Sequence, residues 1–194
     1  KLAFMAKLTK IADHLIIGGG IANTFLYAQG IQIGKSLVDK SQVAQVKKLI
    51  HLAKEEKTEI ILPVDFIGLR EGKSEEEMVK VHDIPHDFQI FDMGPETWAL
   101  FGSTIGKAKT IVWNGPLGKI EDPRFVRGTD FIYYSIADND KAFSLVGGGD
   151  TLAAISKEEY LDKITHVSTG GGAMLEFIEN GTLPGLEALK STKK

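Results

Sequence analysis

The sequence contains no cysteine among its 194 residues. This absence excludes a disulfide, a thiolate nucleophile and a zinc–thiolate site, and it is compatible with a reducing cytosol. Long apolar runs and a signal-peptide pattern are also lacking, so we expect no membrane partner. The chain opens at Lys1 in mid-pattern and without a methionine, and we therefore expect a fragment of a longer protein.

The chain also lacks a strong charge of either sign. It has 23 Lys and Arg against 26 Asp and Glu, for a net charge of −3. Nucleic acid and anionic membranes are therefore disfavoured as partners, and any anionic ligand must be held by a local arrangement of groups. The length and the hydrophobic content of 43% suffice for one large α/β domain with a sizeable core.

Glycine, by contrast, is abundant and concentrated. Nine of the 21 glycines stand in three triplets, at residues 18–20, 147–149 and 170–172. Each triplet follows an apolar β-type run and precedes a helical pattern. Glycine lets the backbone approach a ligand closely, and the first N–H groups of a helix lack partners at the positive end of its dipole. The triplets are therefore predicted to be turns that meet around one phosphate-bearing ligand.

Short β-type runs alternate with helical patterns along the whole chain. This alternation predicts an α/β fold in which a mostly parallel sheet is covered by helices on both faces. Ligands of such sheets lie outside the carboxyl ends of the strands. We predict that the three triplets, Asp65, Asn114 and Asp150 converge there. The charged run at 73–77 is predicted to be a solvated surface turn, and residues 183–186 a final turn.

Three polar residues near these turns have alternative interpretations. Asp150 either caps a helix or contacts a magnesium ion that also takes phosphate oxygens, and spacing alone leaves these alternatives even. Glu121 is either a solvated acid or an acceptor for ribose hydroxyls. His166 is predicted to be a hydrogen-bonded strand residue rather than a base. No catalytic triad is evident, so the indicated chemistry is positioning and charge neutralisation, which suits phosphoryl transfer.

Two common nucleotide-binding motifs do not fit. Residues 30–36 end like a P-loop, but Gln29 stands where its first glycine belongs and the segment follows a helix. A dinucleotide turn needs Gly-x-Gly-x-x-Gly or Ala, whereas the triplets have Asn23, Leu152 and Leu175 at the last position. A dinucleotide-binding domain and a non-catalytic nucleotide-binding module remain the alternatives to a kinase.

Seven segments, in order and over nearly the whole chain, resemble the C-terminal domain of the phosphoglycerate kinase family. They are Leu15-Ile-Ile-Gly-Gly-Gly-Ile-Ala-Asn-Thr-Phe25, Gly34-Lys-Ser-Leu37, Leu62-Pro-Val-Asp65, Asp92-Met-Gly-Pro95, Val112-Trp-Asn-Gly-Pro116, Gly147-Gly-Gly-Asp-Thr151 and His166-Val-Ser-Thr-Gly-Gly-Gly-Ala173. The resemblance implies a Rossmann-like three-layer sandwich. Residues 1–194 would form a single nucleotide-binding domain, the C-terminal half of a two-domain kinase.

The resemblance implies reversible phosphoryl transfer from 1,3-bisphosphoglycerate to ADP, giving 3-phosphoglycerate and ATP, with Mg²⁺, in cytoplasmic glycolysis. In the family, the N-terminal domain binds the three-carbon substrate through a basic patch that includes an arginine. That domain is absent here. We therefore expect a monomer that binds ADP or ATP but has no measurable turnover alone.

Family site residues carry over to matching positions of this sequence. The expected nucleotide contacts are Lys1, Gly18, Gly19, Gly20, Asn114, Gly115, Pro116, Glu121, Gly148, Gly149, Asp150 and Thr151. The first triplet would wall the adenine pocket, and residues 114–116 would border the phosphates and the base. Glu121 would hold the ribose, and residues 148–151 would contact the phosphates, with Asp150 as the magnesium contact. Gly171 and Gly172 would offer N–H groups to the phosphoryl group in flight, as the catalytic pair.

Overall fold

The structure is a computed structural model that describes residues 2–155 and 158–191. The strands are β1 (His14–Ile16), β2 (Glu59–Ile61), β3 (Asp65–Arg70), β4 (Glu77–Lys80), β5 (Phe88–Met93), β6 (Thr110–Trp113), β7 (Phe143–Gly147) and β8 (His166–Ser168). The helices are α1 (Leu2–Leu8), α2 (Gly19–Ala28), α3 (Val43–Glu55), α4 (Pro95–Ile105), α5 (Arg127–Asp138), α6 (Gly149–Ala153), α7 (Gly171–Asn180) and α8 (Pro184–Ser191). None of these helices is both long and apolar enough to cross a bilayer.

The parallel strands form two sheets. One pairs β1 with β2, and the other has the order β6-β7-β8. In the second sheet Val146 lies between Trp113 and Val167, and its side chain is fully buried. Strands that are covered on both faces have near-continuous apolar runs, which is why the sequence indicated them. The predicted α/β class, with parallel strands and helices, is confirmed.

A third sheet is antiparallel, with β3 between β4 and β5. Asp65 is therefore not at the carboxyl end of a parallel strand, and this part of the prediction is wrong. Asp65 begins β3, and Glu77 begins β4. Charged residues are frequent around β4, so the sequence did not show the alternation of apolar and polar residues that indicates a half-buried strand. The pairing also depends on β5, which follows more than a dozen residues after β3 ends.

The apolar residues form two clusters. The larger one packs the antiparallel sheet and the β6-β7-β8 sheet against α4 and α5, with Phe66, Phe88, Phe101 and Tyr133 at 0–1% exposure. The smaller one lies among α1, α2 and α3 around Phe25. Burying one such side chain contributes about 1.5–3 kcal/mol, so these clusters fix the sheets and the turns at their ends.

Three segments complete the local structure. A 3₁₀ turn, Lys40–Gln42, is capped by Asp39 and leads into α3. The predicted final turn at 183–186 opens α8, with proline in its first turn. The segment that resembles a P-loop packs against β5, where Ser36 Oγ accepts a hydrogen bond from Ile90 N at 2.9 Å.

Candidate functional site

The second and third glycine triplets pack backbone against backbone. Gly148 precedes α6 with φ of +108°, a conformation that favours glycine. A Cβ added at Gly171, the first residue of α7, would lie 2.4 Å from the Cα of Gly148. Side chains at these two positions are therefore excluded by geometry, and the helix starts of α6 and α7 lie side by side.

Two hydrogen bonds fasten the loop after β6 to the second triplet and to Thr151, and a third forms within the loop. Asn114 Nδ2 donates to Gly147 O at 2.6 Å. Gly115 N donates to Thr151 Oγ1 at 2.6 Å, and Trp113 Nε1 donates to Gly115 O at 2.9 Å. The end of β6 and the start of α6 therefore form one connected unit.

The first triplet contacts the same loop from the other side. A Cβ added at Gly18 would lie 2.9 Å from Leu117 Cγ, and one at Gly19 would lie 3.2 Å from Pro116 O. Residues 114–117 thus link the first triplet to the second, and the second packs directly against the third. The structure brings together the turns that the sequence analysis expected to meet, although they belong to two parallel sheets rather than one.

Two helix starts at this meeting point are open. At the starts of α6 and α7, Leu152 N donates to Gly148 O at 3.0 Å and Met174 N donates to Gly170 O at 2.8 Å. The N–H groups ahead of them have no intrahelical partners and carry the positive end of the dipole. A Cβ added at Gly149 or Gly172 would meet no atom within 4 Å, so both positions face open space.

Two of the acids predicted to contact the nucleotide are exposed and free of partners within the described ranges. Asp150 lies in the first turn of α6, but the N-cap is Gly148 and no side chain caps this helix. The capping alternative for Asp150 is therefore wrong. Glu121 lies in the loop between β6 and α5, and its carboxylate makes no hydrogen bond or ion pair with a described residue.

Thr151 differs from these acids because it is 1% exposed. Its hydroxyl oxygen accepts the Gly115 N–H, which makes it a link between loops. The hydroxyl proton is not used in that bond. The remaining predicted contact, Lys1, lies outside the described residues.

Asp65 does not belong to this group, contrary to the predicted convergence. Its carboxylate is 2% exposed and accepts hydrogen bonds from Thr97 N at 2.8 Å and Glu96 N at 3.1 Å. These N–H groups belong to the first turn of α4. Asp65, the first residue of β3, therefore caps that helix with its side chain. The acid at the end of Leu-Pro-Val-Asp is a buried structural residue.

Two residues that support the site were missed by sequence reasoning. Thr129 Oγ1 accepts hydrogen bonds from Leu117 N at 3.0 Å and Gly118 N at 3.3 Å. Asp92 is fully buried and accepts from Gly128 N at 2.9 Å. Burial raises the pKa of Asp92 to about 7, although N–H groups of Gly128 and Met93 favour its ionised form. The segment from Asp92 to Pro95 is one of the seven that resemble the family, so the sequence pointed to this acid. It did not indicate what the acid does.

His166 begins β8, where its main chain lies opposite Leu145, so the prediction of a strand residue is confirmed. No group of three or more His, Cys, Asp or Glu side chains suited to a metal ion occurs within residues 2–155 and 158–191. Asp150 is the acid in the first turn of α6, and the first turn of α7 contains none.

The fold and the converging helix starts define a Rossmann-like α/β domain, a class that binds its ligands at the carboxyl ends of parallel strands. Comparison with known proteins gives the particular family. A family model described as phosphoglycerate kinase matches residues 1–181. The chain belongs to the phosphoglycerate kinase family.

Similar proteins give a consistent result. The phosphoglycerate kinase of Desulfosudis oleivorans is 44% identical over 192 residues, which cover 98% of this chain and 48% of that protein. The phosphoglycerate kinase of Pelotomaculum thermopropionicum is also 44% identical, with 97% and 48% covered. The structure of phosphoglycerate kinase from Coxiella burnetii has a TM-score of 0.91 at 40% identity and covers 100% of this chain and 50% of its own. The chain therefore spans about half the length of these relatives.

Proposed function

We propose that this chain is the Mg·ADP- and Mg·ATP-binding half of a phosphoglycerate kinase. The observation that carries the proposal is the meeting of three glycine turns, with two open helix starts and the free carboxylate of Asp150 beside them. In the whole enzyme, these turns would hold the nucleotide while 1,3-bisphosphoglycerate approaches on an N-terminal domain. Family membership supports the reaction, and the packing of the turns supports the assignment of this half to the nucleotide.

The phosphates of the nucleotide are assigned to the starts of α6 and α7. The net charge of −3 gives no attractive field, so phosphate must be bound by local donors. Unpaired N–H groups at these two helix starts are such donors, and hydrogen bonds to an anion are about twice as strong as neutral ones. Each helix start also stabilises a nearby anion by about 0.3–1 kcal/mol through its dipole.

The base and the ribose are assigned to the side of the site where the first triplet meets the loop after β6. Gly18, Gly19 and Gly20 would give the flat adenine ring a wall that is largely free of side chains. Glu121 is exposed and has no partner in the described part of the chain, so its carboxylate is available to accept the ribose hydroxyls.

Asp150 fits the role of a magnesium contact. Its carboxylate is exposed, uncommitted and adjacent to the N–H groups proposed to bind phosphate. Magnesium usually takes one or two carboxylates together with phosphate oxygens and water, which suits a site with one acid. Bound Mg²⁺ would neutralise phosphate charge.

The third turn is assigned to the phosphoryl group in transfer. The bond from phosphorus to the acyl oxygen of 1,3-bisphosphoglycerate breaks, and a bond forms to a terminal phosphate oxygen of ADP, which leaves the carboxylate of 3-phosphoglycerate. Gly171 and Gly172 can contribute only backbone N–H groups, aimed at the oxygens that carry the charge. Catalysis of this kind needs cationic groups opposite the turn, and we assign those to the N-terminal domain of the whole enzyme.

Calorimetry with Mg·ADP and with NAD tests the proposal. We expect saturable binding of Mg·ADP, weaker binding of NAD, and no turnover by the 194-residue chain in a coupled kinase assay. Addition of the N-terminal half of a related enzyme should restore turnover. Tighter binding of NAD would reject the kinase assignment. Binding of Mg·ADP without restored turnover would instead indicate a non-catalytic nucleotide-binding module.

A further inference from the structure

Glu121 lies in a tight turn whose geometry is set by its neighbours. Asp122 N donates to Lys119 O at 3.1 Å, which closes a four-residue turn with Glu121 in its third position. Lys119 N donates to Phe91 O at 2.8 Å, so the turn is also attached to β5. Because Glu121 has no partner of its own among the described residues, the orientation of its carboxylate depends on these attachments.

Arg124 provides the most extensive attachment. Its side chain donates to both carboxylate oxygens of Asp122, with Nε at 3.0 Å from Oδ1 and Nη2 at 2.7 Å from Oδ2. This pairing holds the pKa of Asp122 at about 2. The guanidinium also lies 5.0 Å from the centre of the Phe125 ring. Arg124 therefore fixes the residue that directly follows Glu121.

The same guanidinium reaches the antiparallel sheet. Arg124 Nη1 donates to Ser74 O at 2.9 Å, in the turn that joins β3 to β4. Glu76 of that turn also forms an ion pair with Arg127, at the start of α5. The charged run at 73–77 is exposed up to Glu76, as predicted. Its Ser74 contacts the loop that carries Glu121, and its Glu76 contacts the start of the helix that follows that loop.

The hairpin of β3 and β4 is stabilised by an ion pair between the two residues that flank its turn. Arg70, the last residue of β3, donates to both carboxylate oxygens of Glu77, at 2.8 and 3.0 Å. Its remaining donor lies 2.9 Å from Asp87 Oδ1. A bidentate pair of this kind has a defined geometry, so the turn at 71–76 is held in a fixed position from which to contact Arg124.

These ion pairs are too exposed to matter much for stability. The side chains of Arg124 and Arg127 are 40% and 49% exposed, and pairs of this kind typically contribute about 0.2–1 kcal/mol. Their geometric effect is larger, because they restrict the segment on either side of a carboxylate that must meet two hydroxyl groups. A small shift of such a contact costs more in ligand affinity than in folding.

We propose that Arg124, supported by the turn between β3 and β4, is a positioning residue that orients Glu121 toward the ribose hydroxyls of the nucleotide. The inference rests on the proposed function, since it presumes a bound nucleotide. It assigns the charged hairpin a role in ligand recognition at a distance from the glycine turns.

The test compares Mg·ADP with Mg·2′,3′-dideoxy-ADP, which lacks both ribose hydroxyls, by calorimetry on the 194-residue chain. Glu121→Gln should weaken ADP binding by about tenfold, and Arg124→Ala by about fivefold. Neither change should alter the affinity for the dideoxy nucleotide. The double variant should bind ADP no more weakly than Glu121→Gln alone, because both changes remove the same contact.

Lys107→Ala is the matched control, since it removes an exposed positive charge with no side-chain partner in the described part of the chain, and it should leave both affinities unchanged. Amide exchange at Lys119 and Phe125 should quicken in Arg124→Ala.

An equal loss of affinity for both nucleotides would indicate a general structural role and overturn the inference. Unchanged ADP affinity in Arg124→Ala would overturn it while the proposed function stands. Failure of the unmodified chain to bind Mg·ADP would overturn both.

Discussion

Two kinds of helix start occur in this molecule. Asp65 and Asp92 are 2% and 0% exposed. Asp65 accepts hydrogen bonds from Glu96 N and Thr97 N in the first turn of α4, and Asp92 accepts one from Gly128 N in the first turn of α5. Asp150 at α6 is exposed and makes no such bond. A buried acid that already satisfies a helix start leaves no place for an anionic ligand. An open start beside a free acid does leave one, so the difference separates the structural acids from the proposed ligand site.

The largest effect that tests this comparison is the pH dependence that Asp92 gives to the free energy of unfolding. The pKa of Asp92 is about 7 in the folded protein, against 3.8 for the ordinary carboxyl. Between these values the folded state holds a proton that the unfolded state has lost. The contribution of Asp92 to stability is therefore full below about pH 4, falls as the pH rises and levels off above pH 7.

The free energy of unfolding of the unmodified chain, relative to Asp92→Asn, should fall by about 4 kcal/mol between pH 4 and pH 8. Urea unfolding at several pH values measures this difference. The asparagine amide changes the free energy of unfolding by the same amount at every pH, so its effect cancels when two pH values are compared. The exposed Asp83→Asn is the control and should give a flat difference. A flat difference for Asp92→Asn as well would contradict the assignment of Asp92 as a buried acid with a raised pKa.

The next largest effect compares Asp65 with Asp150 directly. Asp65→Ala removes the acceptor for Thr97 N, Glu96 N and Thr97 Oγ1, and should lower the free energy of unfolding by about 3 kcal/mol. Asp150→Ala should change it by less than about 0.5 kcal/mol, because its carboxylate has no partner in the described structure. Urea unfolding of both variants checks this. Equal losses would show that Asp150 is also a structural acid.

A smaller effect separates two adjacent glycines of the third turn. Gly171→Ala would bring a methyl group to 2.4 Å from the Cα of Gly148, which should cost about 1–3 kcal/mol of stability. Gly172→Ala faces open space and should be neutral or slightly stabilising, since alanine favours a helix. Thermal unfolding of the two variants measures the difference. If both are tolerated equally, α6 and α7 do not pack through these residues.

The parallel strands and their turns were predictable from local sequence. Apolar runs followed by glycine triplets identify β7 and β8, because strands covered on both faces and backbone-to-backbone contacts each restrict the residue types allowed. The antiparallel hairpin was not predictable in this way. β3 and β4 both begin and end with a charged residue, and β3 also pairs with β5, which is distant in the sequence.

The roles of the acids were likewise not predictable from the local sequence. Asp65, Asp92 and Asp150 all stand beside strands or glycines in the sequence, and their local patterns do not distinguish burial from exposure. Thr97, more than thirty residues after Asp65, decides the role of that acid by supplying its hydrogen bonds. Likewise, the link from Arg124 to Ser74 spans fifty positions and has no local signal.

Amide NMR of the ¹⁵N-labelled chain titrated with Mg·ADP tests the central claim most directly. The claim is that the open helix starts, and not the satisfied ones, hold the phosphates. We predict saturable shifts that are largest at Gly149, Asp150, Gly171 and Gly172, with Glu96 and Gly128 unchanged. No saturable shift, or shifts at Glu96 and Gly128 in place of the glycine turns, would contradict the account.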